Sequence, residues 1–348
     1  VLDKSVPLAF IGVALALIAM ALSPAALAQE PYRWAFRQAQ IENDLFPSLL
    51  SPRRDRFYTS GVRVSFGDRA VAAEADVANL PFWLRPVRKH CTACRIHPNF
   101  SVGQQIFTPD NIDNPAPQPG DRPWAAWLYA GIGGGIDTSD FTRHNVEIQV
   151  GITGDVAGGE YGQELLHEII DDVEPQGWDN QLGPDPGLNA YYELQHIWRR
   201  REAGHGTEWD LVPSISAAVG TMTTYAGIGG TFRVGRNISD FPYASQHSNE
   251  RPTVARAIGQ MEIYGFIGID ARAVAYDYFL EGSLFDNDGV TIDPERYVWD
   301  FTIGFTAKFR RFNLTYAIIR RSEEFERNLG TDRGIHSYAS VSLTVGML

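Results

Sequence analysis

Apolar and polar positions alternate along most of this chain. Across 299–309 the odd positions read Trp299, Phe301, Ile303, Phe305, Ala307 and Phe309, and the even ones Asp300, Thr302, Gly304, Thr306 and Lys308. A period of two puts each set on one face of a strand; a helix would scatter both around its surface. The same division runs through 335–347 and through 261–271, where Glu262, Tyr264 and Asp270 share the polar face. Shorter copies lie in 62–66, 100–106, 126–132, 146–150, 188–194 and 228–234.

The pattern predicts about twelve strands, near 32–42, 59–67, 99–108, 124–134, 143–151, 188–199, 208–219, 223–235, 259–273, 296–309, 311–321 and 335–347. Each is about ten residues long, enough to cross a bilayer when tilted. An even number closes a ring with both ends on one side of the membrane. The expectation is an all-β protein, an antiparallel transmembrane β-barrel. Trp34, Trp127, Tyr129, Trp198, Trp299 and Tyr316 fall near strand ends, where interfacial girdles lie. A soluble sandwich or lipocalin-like barrel shares the alternation.

One segment breaks the period. In 159–173 Leu165, Leu166, Ile169 and Ile170 recur at helical spacing, between Gly158-Gly159 and Pro175. This predicts a short helix in an extracellular loop, with Gln163 and His167 one turn apart on one face.

The N-terminus bears on the soluble alternative. Lys4, an apolar run over 8–22, the Ser23-Pro24 break and small residues at Ala26 and Ala28 predict a secretory signal peptide over 1–28. The barrel domain is then 29–348, in the outer membrane. The net charge of −12 and the lack of a long basic run exclude broad nucleic-acid binding. Cys91 and Cys94 predict a small-loop disulfide in an oxidising compartment. His90 and His97 flank them and also allow a metal site, though the spacing matches no standard finger.

Of 8 histidines, His167 stands out, with Glu164, Glu168, Asp171, Asp172 and Glu174 around it in sequence. Histidine exchanges a proton near neutral pH, and carboxylates orient an imidazole or hold a hard cation such as Ca²⁺. A solvated acidic helix with an incidental histidine reads equally well. Asn43 and Asp44 end the first strand and Thr59-Ser60 open the second, so a hairpin brings them to one rim; as residue types they read as turn and strand-start residues. No Gly-x-Ser-x-Gly elbow or His-Glu-x-x-His motif occurs. The glycine run 131–135 lacks a phosphate loop's context and reads as close packing or a turn.

In order along the chain stand Glu42-Asn43-Asp44, Asp55-Arg56-Phe57-Tyr58-Thr59-Ser60-Gly61, Gly103-Gln104-Gln105-Ile106-Phe107-Thr108-Pro109 and Asp121-Arg122-Pro123-Trp124. Gly151-Ile152-Thr153-Gly154, Gln163 with His167, and Gly177-Trp178-Asp179-Asn180-Gln181-Leu182 follow. In these motifs the chain resembles the LpxR-type lipid A 3′-O-deacylases from about residue 33 onward. The resemblance implies a twelve-stranded barrel that hydrolyses, with Ca²⁺, the ester of the 3′ acyloxyacyl chain of lipid A. It implies a site between the barrel wall and a loop helix, with His167 as general base, Asn43 and Thr59 in the catalytic set and Asp44 as a metal ligand. The family's glutamate after the histidine falls on Val173, between Asp172 and Glu174; Glu174 is taken as the second metal ligand. The family's basic residue in the second outer loop has no counterpart in 110–120. The expected partners are lipopolysaccharide and outer-membrane lipids, and the expected state is a monomer. A non-enzymatic pore or binding barrel, and an outer-membrane phospholipase or esterase, are the alternatives.

Overall fold

The computed structural model describes residues 36–44, 57–67, 85, 91, 93–170, 173–238, 261–285, 289–310, 312–326 and 335–346. The signal peptide expected over 1–28, Trp34 and His90 lie outside them. The strands are β1 (Phe36–Asn43), β2 (Phe57–Gly67), β3 (Arg95–Thr108), β4 (Ala125–Ser139), β5 (Thr142–Thr153), β6 (Pro186–His196), β7 (Arg199–Gly204), β8 (Thr207–Gly220), β9 (Thr223–Arg236), β10 (Glu262–Asp277), β11 (Tyr297–Phe309), β12 (Phe312–Arg321) and β13 (His336–Gly346). Helix α1 (Gly159–Ile170) follows β5, and the single turn α2 (Tyr278–Glu281) follows β10.

Neighbouring strands pair antiparallel. β1 pairs with both β2 and β13, and β6 with β8, which closes the ring. β7 pairs with the first part of β8 and β6 with the last part, so β6 and β7 are two pieces of one wall strand. At the break, Ile197 N–H donates to Phe141 O and Trp198 N–H to Leu211 O, so the wall stays bonded on both sides. The barrel therefore has twelve wall strands, as the alternation predicts.

The inner face is identified by contacts that skip strands. Arg63 on β2 pairs with Glu147 on β5, a contact possible only across the concave side. Gly131 on β4 lies beneath it: a Cβ there would sit 2.4 Å from Glu147 Oε1 and 2.5 Å from Ser101 Oγ. The glycine run is thus close packing that makes room for a carboxylate. Further buried pairs fill the lumen: Arg143–Asp137, Arg233–Asp210, Lys308–Glu262 and Arg321–Asp300. Charges this buried persist only when paired and hydrogen-bonded.

Towards one end the lumen is closed by an aromatic plug. After β10 the chain turns inward through α2, and Phe279 stacks on Phe107 of β3 with ring centroids 4.2 Å apart. Trp127 and Tyr129 join Tyr58 and Tyr338 in this cluster. This corrects the girdle expectation for Trp127 and Tyr129: both point into the lumen and are buried. Trp198 and Trp299 do face outward.

On the outer face Phe301, Ile303 and Phe305 are 42–49% exposed, while Thr306 and Lys308 on the other face are buried. An apolar exterior around a charged interior is the arrangement a barrel adopts in lipid. No described helix is long and apolar enough to cross a membrane.

Phe36 and Gly346 pair at one end of the ring. The connections 44–56, 109–124, 154–185, 278–296 and 322–335 leave from the other end. Cys91 and Cys94 form a disulfide near the start of β3, while His97 bonds Asp137 at 2.9 Å, so the thiols are not metal ligands here.

A candidate active site on the outside of the barrel rim

Strand parity decides which side of the wall each candidate residue occupies. In β1 the Glu42 carboxylate accepts from Tyr58 Oη at 2.8 Å and from Gln40 Nε2 at 2.9 Å, within the lumen. Asn43, next along the strand, therefore points outward. In β3 Ser101 donates to Glu147 inside. Gln104, Ile106 and Thr108 have the opposite parity and point outward.

A bulge brings Thr59 to the same side. The β2–β3 register runs Tyr58↔Phe107 and then Ser60↔Ile106, leaving Thr59 as the extra residue. The inward set of β2 switches there from even (Tyr58) to odd (Arg63, Ser65), and a bulge is the device that re-aims a side chain in this way. Phe57, just before it, has φ 69°, a conformation bulky residues rarely adopt. Such strain costs about 1–3 kcal/mol. It is held because Phe57 is fully buried, its ring edge-on to Phe325 at 5.1 Å and packed with Leu280.

The three rim residues form a short array. Asn43 Nδ2 donates to the Thr59 carbonyl at 2.8 Å, and the Thr59 and Thr108 hydroxyls lie 2.7 Å apart. All three side chains are buried, and so is Asp44. Thr108 lies within a motif quoted above, yet was not singled out from the sequence. The signal available was its parity with Ile106 at the rim end of β3.

Helix α1 lies against the same outer face. Gln104 Nε2 donates to the carbonyls of Ala157 and Gly158, just ahead of the helix. A Cβ on Gly159 would meet Ala126 of β4 and the Trp178 ring, each at 2.5 Å; one on Gly162 would lie 3.3 Å from Ile106 of β3. The helix thus passes from β4 to β3 in three residues. At a rise of about 1.5 Å per residue, five more residues carry His167 about 7.5 Å further along the axis, beyond β3 in the direction of β2 and β1. That is the side on which Thr59 and Asn43 lie. An apolar cluster of Ile106, Trp124, Ala126, Ala157 and Trp178 seats the loop on the wall.

The buried face of α1 carries Gly159, Gln163 and His167. Trp178 Nε1 donates to Gln163 Oε1 at 2.9 Å, which leaves the Gln163 amide nitrogen directed away from the indole. His167 Nδ1 bonds the main-chain carbonyl of Val173. A carbonyl only accepts, so Nδ1 carries the proton, and in the neutral ring Nε2 bears the lone pair. The solvent side of α1 is acidic. Partial burial, and then Glu164, Asp179 and Asp155, push the Glu160 carboxyl above its ordinary pKa.

Glu174 is exposed beside Val173. Among the described residues, no three His, Cys, Asp or Glu side chains gather closely enough to hold a metal ion. The structure therefore joins Asn43 and Thr59 directly, buries Asp44 and His167 on the same rim, and leaves Glu174 facing solvent.

No curated protein matches the chain. Among solved structures, LpxR from Salmonella typhimurium is 20% identical, covers 90% of this chain and all of its own, and superposes with a TM-score of 0.71. The β domain of the Bordetella autotransporter BrkA (10% identity, 90% of this chain and 100% of that one, TM-score 0.43) and the NanC porin (6%, 90% and 100%, 0.34) share less of the fold. The family model described as Outer membrane protein LpxR matches residues 13–347, every described strand included. Closed twelve-stranded barrel, lipid-facing exterior and family match agree: the chain belongs to the LpxR family and resides in the outer membrane.

Proposed function

We propose that this protein is a lipid A 3′-O-deacylase: it adds water across the ester of the 3′ acyloxyacyl chain, releasing the acyl chain as a carboxylic acid and leaving a hydroxyl on the sugar. The observation that carries this reading is the side of the wall. Asn43, Asp44, Thr59, Gln163 and His167 are buried at the rim; strand parity turns Asn43 outward, the Thr108 contact brings Thr59 to the same side, and the seat of α1 lays Gln163 and His167 against that outer face. An acylated glycolipid in the outer leaflet reaches that surface sideways, its chains along the apolar wall. The aromatic cluster and the buried ion pairs that fill the lumen disfavour the pore.

In this mechanism His167 takes a proton from the attacking water at Nε2, while the Val173 carbonyl holds Nδ1–H and steadies the imidazolium that results. The Gln163 amide and the Thr59 hydroxyl orient the ester. A calcium ion suits oxygen donors of this kind, and the Asp44 carboxylate and Asn43 Oδ1 would be its first ligands. With Glu174 exposed, neutral oxygens would complete the shell. Such an ion, when bound, stabilises negative charge developing on the ester oxygen.

The test is mass spectrometry of lipid A from cells expressing the chain, with His167→Ala beside it and Ca²⁺ varied in a membrane assay. We expect a mass loss of one acyloxyacyl unit that needs Ca²⁺ and vanishes in a folded His167→Ala barrel. Substantial hydrolysis by that variant would overturn the assignment of the base. Unchanged lipid A with the folded wild-type barrel would overturn the reaction.

A further inference from the structure

We propose that Thr108 is a positioning residue for this reaction, holding the Thr59 hydroxyl in its working orientation; the inference rests on the deacylase reading. Thr59 is the extra residue of a bulge, so the regular ladder does not fix its side chain. Two groups fix it instead. Asn43 Nδ2 grips its carbonyl at 2.8 Å, and Thr108 Oγ1 lies 2.7 Å from its Oγ1.

Thr108 is well built for this. It is fully buried, and it ends β3 immediately before Pro109, which confines it to an extended conformation. Its β-branched side chain has few χ1 choices, so the hydroxyl stays where the backbone puts it. A hydroxyl has one proton and two lone pairs. Pairing with Thr108 commits one of these on Thr59 and aims the rest at the substrate. Without that partner the Thr59 hydroxyl would turn to satisfy itself elsewhere.

The experiment compares kcat and KM on purified lipid A in detergent for wild type, Thr108→Val, Thr108→Ala, Thr108→Ser, Thr59→Val and the Thr59→Val/Thr108→Val double variant. Folding is scored by heat-modifiable gel migration. Displacing a reacting group slightly is worth a large factor in rate, so Thr108→Val and Thr108→Ala should each lower kcat roughly tenfold with KM within about twofold. Thr108→Ser, which keeps the hydroxyl, should retain most of the activity. The double variant should be no slower than Thr59→Val alone, because Thr108 acts through Thr59.

A folded Thr108→Val or Thr108→Ala barrel with wild-type kcat would overturn the proposal. So would losses that multiply in the double variant, or a Thr108→Ser variant as slow as Thr108→Ala. If Thr108→Val does not fold, the Ala and Ser pair decides alone. An inactive wild type would instead overturn the deacylase reading itself.

Discussion

His167 donates from Nδ1 to the main-chain carbonyl of Val173, six residues further on. A peptide group, the Val173 carbonyl, thus holds the ring at Nδ1. Val173 is also where the family's glutamate would fall. Here a neutral main-chain acceptor fixes the tautomer of the imidazole.

One prediction follows from the acceptor being main chain. Val173→Ala keeps the carbonyl and trims a side chain that is 52% exposed. Its deacylation rate should stay within about twofold of wild type, as exposed substitutions generally do. A large loss would show that the valine side chain, and not the carbonyl, sets the site.

Gly159 tests the seat of the helix. Its Cβ would meet Ala126 of β4 and the buried Trp178 ring of the same loop, each at 2.5 Å. Gly159→Val should cost about 1–3 kcal/mol of local overpacking, lifting α1 from the strands. The expected result is a loss of hydrolysis together with new protease cleavage within 154–185, while the barrel keeps its heat-modifiable migration. Full activity in this variant would mean that the site does not need α1 against β4.

The lumen offers a prediction about stability alone. Glu147→Ala leaves the Arg63 guanidinium, which is 2% exposed, without this carboxylate. Removing one partner of a buried pair costs about 3–5 kcal/mol. Urea unfolding in lipid vesicles should register that loss, whereas the folded variant should still hydrolyse lipid A, because the pair lies inside and the site outside. An unchanged unfolding midpoint would show that water replaces the carboxylate.

Much of this architecture is legible in the residues. Thr306 and Lys308 turn inward and Phe301, Ile303 and Phe305 outward, as their spacing predicts, because each face meets a different solvent. Helix α1 starts at Gly159 as expected and stops at Ile170, short of Val173. Three features resisted. The interruption at Ile197 and Trp198 splits a predicted strand, and the run Arg199-Arg200-Arg201-Glu202 has no alternation to show that the wall continues; only pairing with β8 places it. The bulge at Thr59 comes from a mismatch between two strands, and no single strand's pattern contains a register. Trp127 and Tyr129 have the aromatic character of a girdle, but the parity they share with Gly131 directs them inward. At the site, the hairpin expected to bring Asp44 and Thr59 to one rim places Asn43 Nδ2 on the Thr59 carbonyl, and Gln163 and His167 share the buried face of α1. Thr108 escaped notice because a threonine at a strand end looks like any other.

Arg63 and Glu147 stand three strands apart, a distance of about 14 Å measured along a flat sheet. Their side chains nevertheless touch. They do so as a chord across an arc, which shortens only as the arc tightens. The ion pair is therefore a clamp on curvature: rolling β2–β5 open would separate two charges that have no water to replace each other. The arc it holds includes β3 and β4, the strands on which α1 rests. The pair thus braces the wall beneath the helix from within the lumen, while the ladder bonds and the apolar cluster around Trp178 hold the helix in place without it.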